Sequence, residues 1–79
     1  MYFPAMTRLA QTCIATLRDA LRARKMSPRA AGVALGRSTM YAQRRLSGEV
    51  PMSLDDLEAL AAVAGLEVHV ELVPTGGAA

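Results

Sequence analysis

Residues 27–49 read SPRAAGVALGRSTMYAQRRLSGE, and this stretch decides the fold. Ser27 followed by Pro28 is a helix start. A serine side chain accepts from the free amides of a first turn, and proline there lacks only an N–H that would have no partner. The helix it opens, Pro28 to Leu35, is expected to bury Ala31, Ala34 and Leu35. Gly36 ends it, because glycine takes the left-handed conformation at little cost. Ser38 reads as the cap of a further helix over about 39–47, with Ala42 and Leu46 one turn apart on its inner side and Gly48 after it. Ala31 and Gly32 are small enough to let the two helices cross closely. The outer face of the second helix then carries Thr39, Met40, Gln43 and Arg44.

Outward from this pair the pattern stays helical. Towards the N-terminus, Leu9, Cys13, Leu17 and Leu21 recur every fourth residue with Ala10, Ile14 and Ala20 beside them, which predicts an amphipathic helix over about 7–25 capped by Thr7. Residues 1–6, MYFPAM, form a lead-in. Towards the C-terminus, Ser53-Leu54-Asp55-Asp56 is a capping box, and it opens a helix over about 54–64 that buries Leu54, Leu57, Leu60, Ala61 and Ala64. Residues 7–66 are thus one domain. The period then changes: Glu67-Val68-His69-Val70-Glu71-Leu72 alternates polar and apolar, the signature of a half-buried strand, and Pro74 ends it. A lone strand cannot satisfy its own backbone, so residues 67–74 are expected to pair with the same strand of a second copy, with Val68, Val70 and Leu72 at the dimer interface. The alternative is an extended tail packing those three residues on its own helices. Residues 75–79 are read as a disordered tail. The expected fold class is mostly α: a compact bundle of about four helices with one C-terminal β-strand.

Composition narrows the function. The chain has 79 residues, 15 of them alanine and three aromatic, which suits close-packed short helices and leaves little room for an enzyme pocket. Residues 1–45 carry nine basic side chains and one acid, Asp19, a balance of +8; residues 46–79 carry six acids and no Lys or Arg. Such a split turns a basic region towards an anionic partner, nucleic acid first and a membrane surface second. No apolar run approaches the length needed to span a bilayer. With one cysteine, Cys13, and one histidine, His69, neither a disulfide, a zinc finger nor a Ser-His-Asp triad is expected; the reading is no metal, no cofactor and no enzyme, in a cytoplasmic protein. Arg18, Arg22 and Lys25 share one face of the first helix, a spacing that by itself describes a solvated face.

A tight, glycine-turned pair of short helices is a helix-turn-helix. The run from Leu35 to Leu66, LGRSTMYAQRRLSGEVPMSLDDLEALAAVAGL, resembles the Cro/phage-repressor (Xre-type) helix-turn-helix family. More particularly, it is similar to actinobacterial and actinobacteriophage members in which RRLSGE precedes a capped helix. The resemblance extends over residues 7–66. It implies a homodimeric, sequence-specific regulator of transcription, a repressor in the phage-immunity manner, bound to double-stranded operator DNA. It places the helix over 39–47 in the major groove. Ser38, Thr39, Met40, Gln43 and Arg44 would then face bases, with Gln43 suited to adenine and Arg44 to guanine. Ser27, Arg29, Arg37 and Arg45 would meet phosphates, which position the protein without reading sequence. Three positions depart from the family pattern: Pro28 stands where many relatives have Gln, Arg37 where the residue is usually apolar, and Ala42 where Val or Ile is usual. Tyr41 or Met40 would fill the space Ala42 leaves. Two other functions fit the same residues. One is an antitoxin that binds DNA and neutralises a toxin through its acidic half; the other is a protein-interaction adaptor.

Overall fold

A computed structural model describes residues 7–76; the lead-in expected at 1–6 and residues 77–79 of the expected tail lie outside the described residues. Four helices follow in order: α1 (Arg8–Ala23), α2 (Pro28–Ala34), α3 (Tyr41–Leu46) and α4 (Leu54–Val63). Three start on the caps that the sequence predicts. The Thr7 hydroxyl accepts from the Ala10 amide at 3.1 Å, and the Ser27 hydroxyl accepts from the Ala30 amide at 3.1 Å, with Pro28 in the first turn. Ser53 and Asp56 exchange both bonds of a capping box, at 3.0 and 3.1 Å.

Three helices also end alike. The amide two residues past the last turn reaches back five residues to a carbonyl: Met26 to Leu21 at 2.9 Å, Arg37 to Gly32 at 2.9 Å, and Leu66 to Ala61 at 2.7 Å. This closure needs one residue in the left-handed conformation. Gly36 (φ 71°) and Gly65 (φ 78°) supply it after α2 and α4. After α1 the position is Lys25, at φ 57°, the only non-glycine among the described residues with positive φ. Arg24 beside it reaches across the bundle, its Nη1 donating to the Val63 carbonyl at 2.9 Å and so covering the open end of α4.

The core is one cluster. Ile14, Leu17 and Leu21 of α1 meet Ala31 of α2, Tyr41, Ala42 and Leu46 of α3, and Leu60, Ala61 and Ala64 at the end of α4. Leu17, Leu21 and Leu60 are almost wholly enclosed. Several expected core positions are not in it. Leu9 and Leu54 are 73% and 67% exposed, because both lie at the starts of their helices, on a side where no described element covers them. Ala34 is exposed, while Cys13, Leu35 and Leu57 are half-buried. Ile14, one residue off the Leu9-Cys13-Leu17 line, is buried in place of Leu9 and Cys13 at that end of α1.

The expected strand does not form within the single chain. Residues 67–74 form no ladder among the described residues and make no backbone–backbone hydrogen bond there. The reason is topological: all the other described elements are helices, so the segment has no edge to join within the chain. Val68 packs against the helices, but Val70 and Leu72 stand 64% and 92% exposed. The tail thus buries one of the three residues that the alternative reading would bury.

Candidate nucleic-acid interface

The α2–α3 corner is held by a close backbone approach. Gly32 is buried, and a Cβ built on it would lie 2.5 Å from the Ser38 carbonyl oxygen. No other residue type fits there without moving α2 or the turn. The chain then leaves α2 through Gly36 and turns at Ser38, whose carbonyl accepts from the Tyr41 amide at 3.1 Å. Ser38 was expected to cap the helix with its side chain. Instead α3 begins two residues later than expected, at Tyr41, and Met40 at its start makes no side-chain cap bond. The Ser38–Tyr41 turn leads straight into α3 and takes the place of a side-chain cap.

Three residues pin α3 to the core: Tyr41 (5% exposed), Ala42 (0%) and Leu46 (3%). Tyr41, not Met40, therefore fills the space beside the small Ala42, and Met40 is left 39% exposed. With one side of a six-residue helix buried, the opposite side is set. Gln43 and Arg44 are exposed, and neither side chain has a hydrogen-bond or ion-pair partner among the described residues. Ser38 is exposed and Thr39 half-buried. Of the residues expected at phosphates, Ser27, Arg29 and Arg37 are exposed, though the Ser27 hydroxyl already serves its helix. Arg37 lies over the Tyr41 ring, 4.9 Å from its centroid.

Arg45 is elsewhere than expected. Its guanidinium turns inward: it lies 4.1 Å from the Tyr41 ring centroid, donates through Nη1 to the Tyr41 carbonyl at 3.1 Å, and brings Nε to 2.9 Å from Asp56 Oδ2. The Nε–H is not aligned for a hydrogen bond, so this contact is one of charge. The Tyr41 hydroxyl donates to Asp56 Oδ1 at 2.6 Å. Burial opposes the charge on Asp56, but the Tyr41 hydroxyl, Arg45 and the Ser53 amide outweigh it and hold the carboxyl well below the usual carboxylate range. Burial, and then the bond to Asp56, raise the Tyr41 phenol. Arg45 thus ties α3 to the capping box of α4. Spacing along the chain gave no sign of this, because Asp56 reads fully as a capping residue.

The stripe read as a solvated face has a particular location. Arg18, Arg22 and Lys25 line a cleft of about 310 Å³ together with Ser27, Pro28 and Leu46, next to the start of α2. Their one nearby acid, Asp19, meets Arg22 at 3.6 Å in a pair that is three-quarters exposed and weak. The four- and three-residue spacing was the available signal; that the stripe adjoins the start of α2 is decided by the fold. Between Pro28 and Ser47 there is no acidic residue. No helix among the described residues is long and apolar enough to cross a membrane. No family model matches the chain, and neither a curated protein nor a solved structure shows significant similarity to it.

Proposed function

We propose that the chain is a sequence-specific, double-stranded-DNA-binding regulator of transcription of the Cro/Xre type, a repressor that acts as a homodimer and reads the major groove with α3. One observation carries this reading. α3 is anchored by three buried residues and presents Gln43 and Arg44, exposed and without internal partners, on an acid-free segment that also exposes Arg29 and Arg37. Those are the two side-chain types that grip adenine and guanine edges through paired hydrogen bonds. Short helices can deliver them because only the first turns of a groove-bound helix reach bases. The Arg18–Arg22–Lys25 cleft adds charge beside the start of α2, where a duplex backbone would pass.

The test is binding to DNA from upstream of the chain's own gene, against random duplex, across a salt series. Binding to the upstream fragment about 10³-fold tighter than to random DNA is expected. Arg44→Ala should cost about 1–3 kcal/mol at one base position, and Arg29→Ala should lower the log–log salt slope by about 0.9 on every sequence. Equal, steeply salt-dependent affinity for both DNAs would overturn sequence reading; no affinity at low salt would overturn DNA binding altogether.

A further inference from the structure

Lys25 sits where glycine belongs. Its φ of 57° makes it the only non-glycine in the left-handed region among the described residues, and the two matching turns, after α2 and α4, use Gly36 and Gly65. A side chain in that conformation crowds its own backbone, a cost that glycine avoids. The usual reason for a cation at a helix end does not account for it. Arg22 already stands in the last turn of α1 and Arg24 at its C-cap, so the helix dipole is met without a third charge. Nor does Lys25 pair within the chain. Neither its ammonium nor the Arg18 guanidinium makes a hydrogen bond or ion pair among the described residues, whereas Arg24 commits its Nη1 to the Val63 carbonyl.

A second unfavourable choice falls on the same side chain. Lys25 lines the cleft of about 310 Å³ together with Arg18 and Arg22, three cations with no acid on the cleft wall. Asp19 reaches Arg22 alone, at 3.6 Å in an exposed pair. Like charges gathered at one hollow repel one another. Backbone strain and charge crowding thus converge on one place, and local costs of this kind concentrate where a ligand is held. Three converging cations suit a phosphate group, whose anionic oxygens accept from guanidinium and ammonium alike.

We propose that Arg18, Arg22 and Lys25 form a seat for one phosphate group, and that Lys25 keeps its left-handed turn, at a cost in stability, because its ammonium completes that seat. The source of the phosphate, a duplex backbone, rests on the proposed DNA reading; the seat itself does not. The dimensions fit that source. Leu46, the last residue of α3, forms part of the cleft wall. A six-residue helix extends about 9 Å, and a major groove is about 12 Å wide. With Gln43 and Arg44 inside the groove, a cleft at the end of α3 falls at the phosphates along its edge.

The test sets two readouts against each other in wild type, Lys25→Gly and Lys25→Arg. Lys25→Gly should melt about 2–8 °C higher than wild type. It should nevertheless bind upstream and random duplex alike with a log–log salt slope smaller by about 0.9, which is about eightfold weaker at 0.1 M salt. Lys25→Arg keeps both the charge and a side chain in the turn, and should match wild type in melting and in slope. In a DNA-free arm, pyrophosphate is titrated at constant ionic strength and followed by the Met26 and Ser27 amide shifts. Saturation about threefold weaker for Lys25→Gly is expected, the weight of one exposed charge contact. A Lys25→Gly protein that melts higher but keeps the wild-type slope on a specifically bound duplex would overturn the seat and leave the DNA reading standing. Weaker binding with no rise in melting would overturn the strained turn as its cost. Pyrophosphate saturation without affinity for any duplex would uphold the seat, assign it to a free phosphorylated ligand and overturn the DNA source.

Discussion

Gly32→Ala should destabilise the protein, although alanine is the better helix former. In an open helix position the change would stabilise by about 0.8–1 kcal/mol. At Gly32 the added methyl would lie 2.5 Å from the Ser38 carbonyl oxygen, a backbone atom that no rotamer change can move aside. Ordinary contact begins near 3.4 Å, so α2 and the turn must separate by most of an ångström. Overpacking of this kind costs about 1–3 kcal/mol, and a backbone neighbour places the cost in the upper part of that range. Subtracting the propensity gain leaves a net loss of about 1–2 kcal/mol. For a domain of this size each kcal/mol moves the melting midpoint by about 4–8 °C. The assay is thermal and urea unfolding of wild type and Gly32→Ala, with Ala34→Gly on the exposed side of the same helix reporting propensity alone. A Gly32→Ala protein that melts several degrees above wild type would refute the close crossing. Because α3 hangs on this corner, the variant should also weaken DNA binding more than its stability loss alone explains.

Asp56→Ala removes a cap acceptor, the Tyr41 hydroxyl's acceptor and the charge facing Arg45; with both side chains mostly buried (22% and 14% exposed), a loss of about 2–3 kcal/mol in urea unfolding is expected. The folded carboxyl titrates below its ordinary value of 3.8, so its contribution is complete above that value and is lost as pH falls through and below it; unfolding midpoints of wild type should drop in that window, and those of Asp56→Ala should drop less. Arg45→Ala should lower the melting midpoint by roughly one kcal/mol's worth, about 4–8 °C, and leave the DNA salt slope unchanged; a slope reduced by about 0.9 would return Arg45 to the phosphates. Lys25→Gly should raise stability by about 0.5–1 kcal/mol, since the left-handed turn after α1 penalises a side chain that glycine lacks, measured by the same unfolding curves.

Much of the helical frame was legible because its signals are local. Thr7, Ser27 and the Ser53–Asp56 box lie within three residues of the amides they serve, and Gly36 and Gly65 act on their own φ. The α2–α3 corner was legible for the same reason: Gly32 and Gly36 are types that a close corner between two short helices requires. The misreadings arose where a residue had two local explanations. Ser38 has the right type for a cap, yet its carbonyl, not its hydroxyl, starts α3. Leu9 and Leu54 continue apolar stripes, but a stripe says only which side of a helix is apolar, not how far along it the neighbours extend. Lys25 carries a turn that no residue type announced.

The sequence by itself determined where three of the four helices begin and which glycines end two of them, because caps and left-handed turns are decided within about one turn of chain. It also set the charge division that separates residues 1–45 from the acidic remainder. Only the tertiary structure decided that Tyr41 rather than Met40 enters the core, that Arg45 is held by an aspartate eleven positions on, and that Leu9, Leu54, Val70 and Leu72 meet in one uncovered groove. Those outcomes depend on which surfaces pack together and what is left without a partner, and burial and charge pairing are properties of the folded arrangement, not of spacing along the chain.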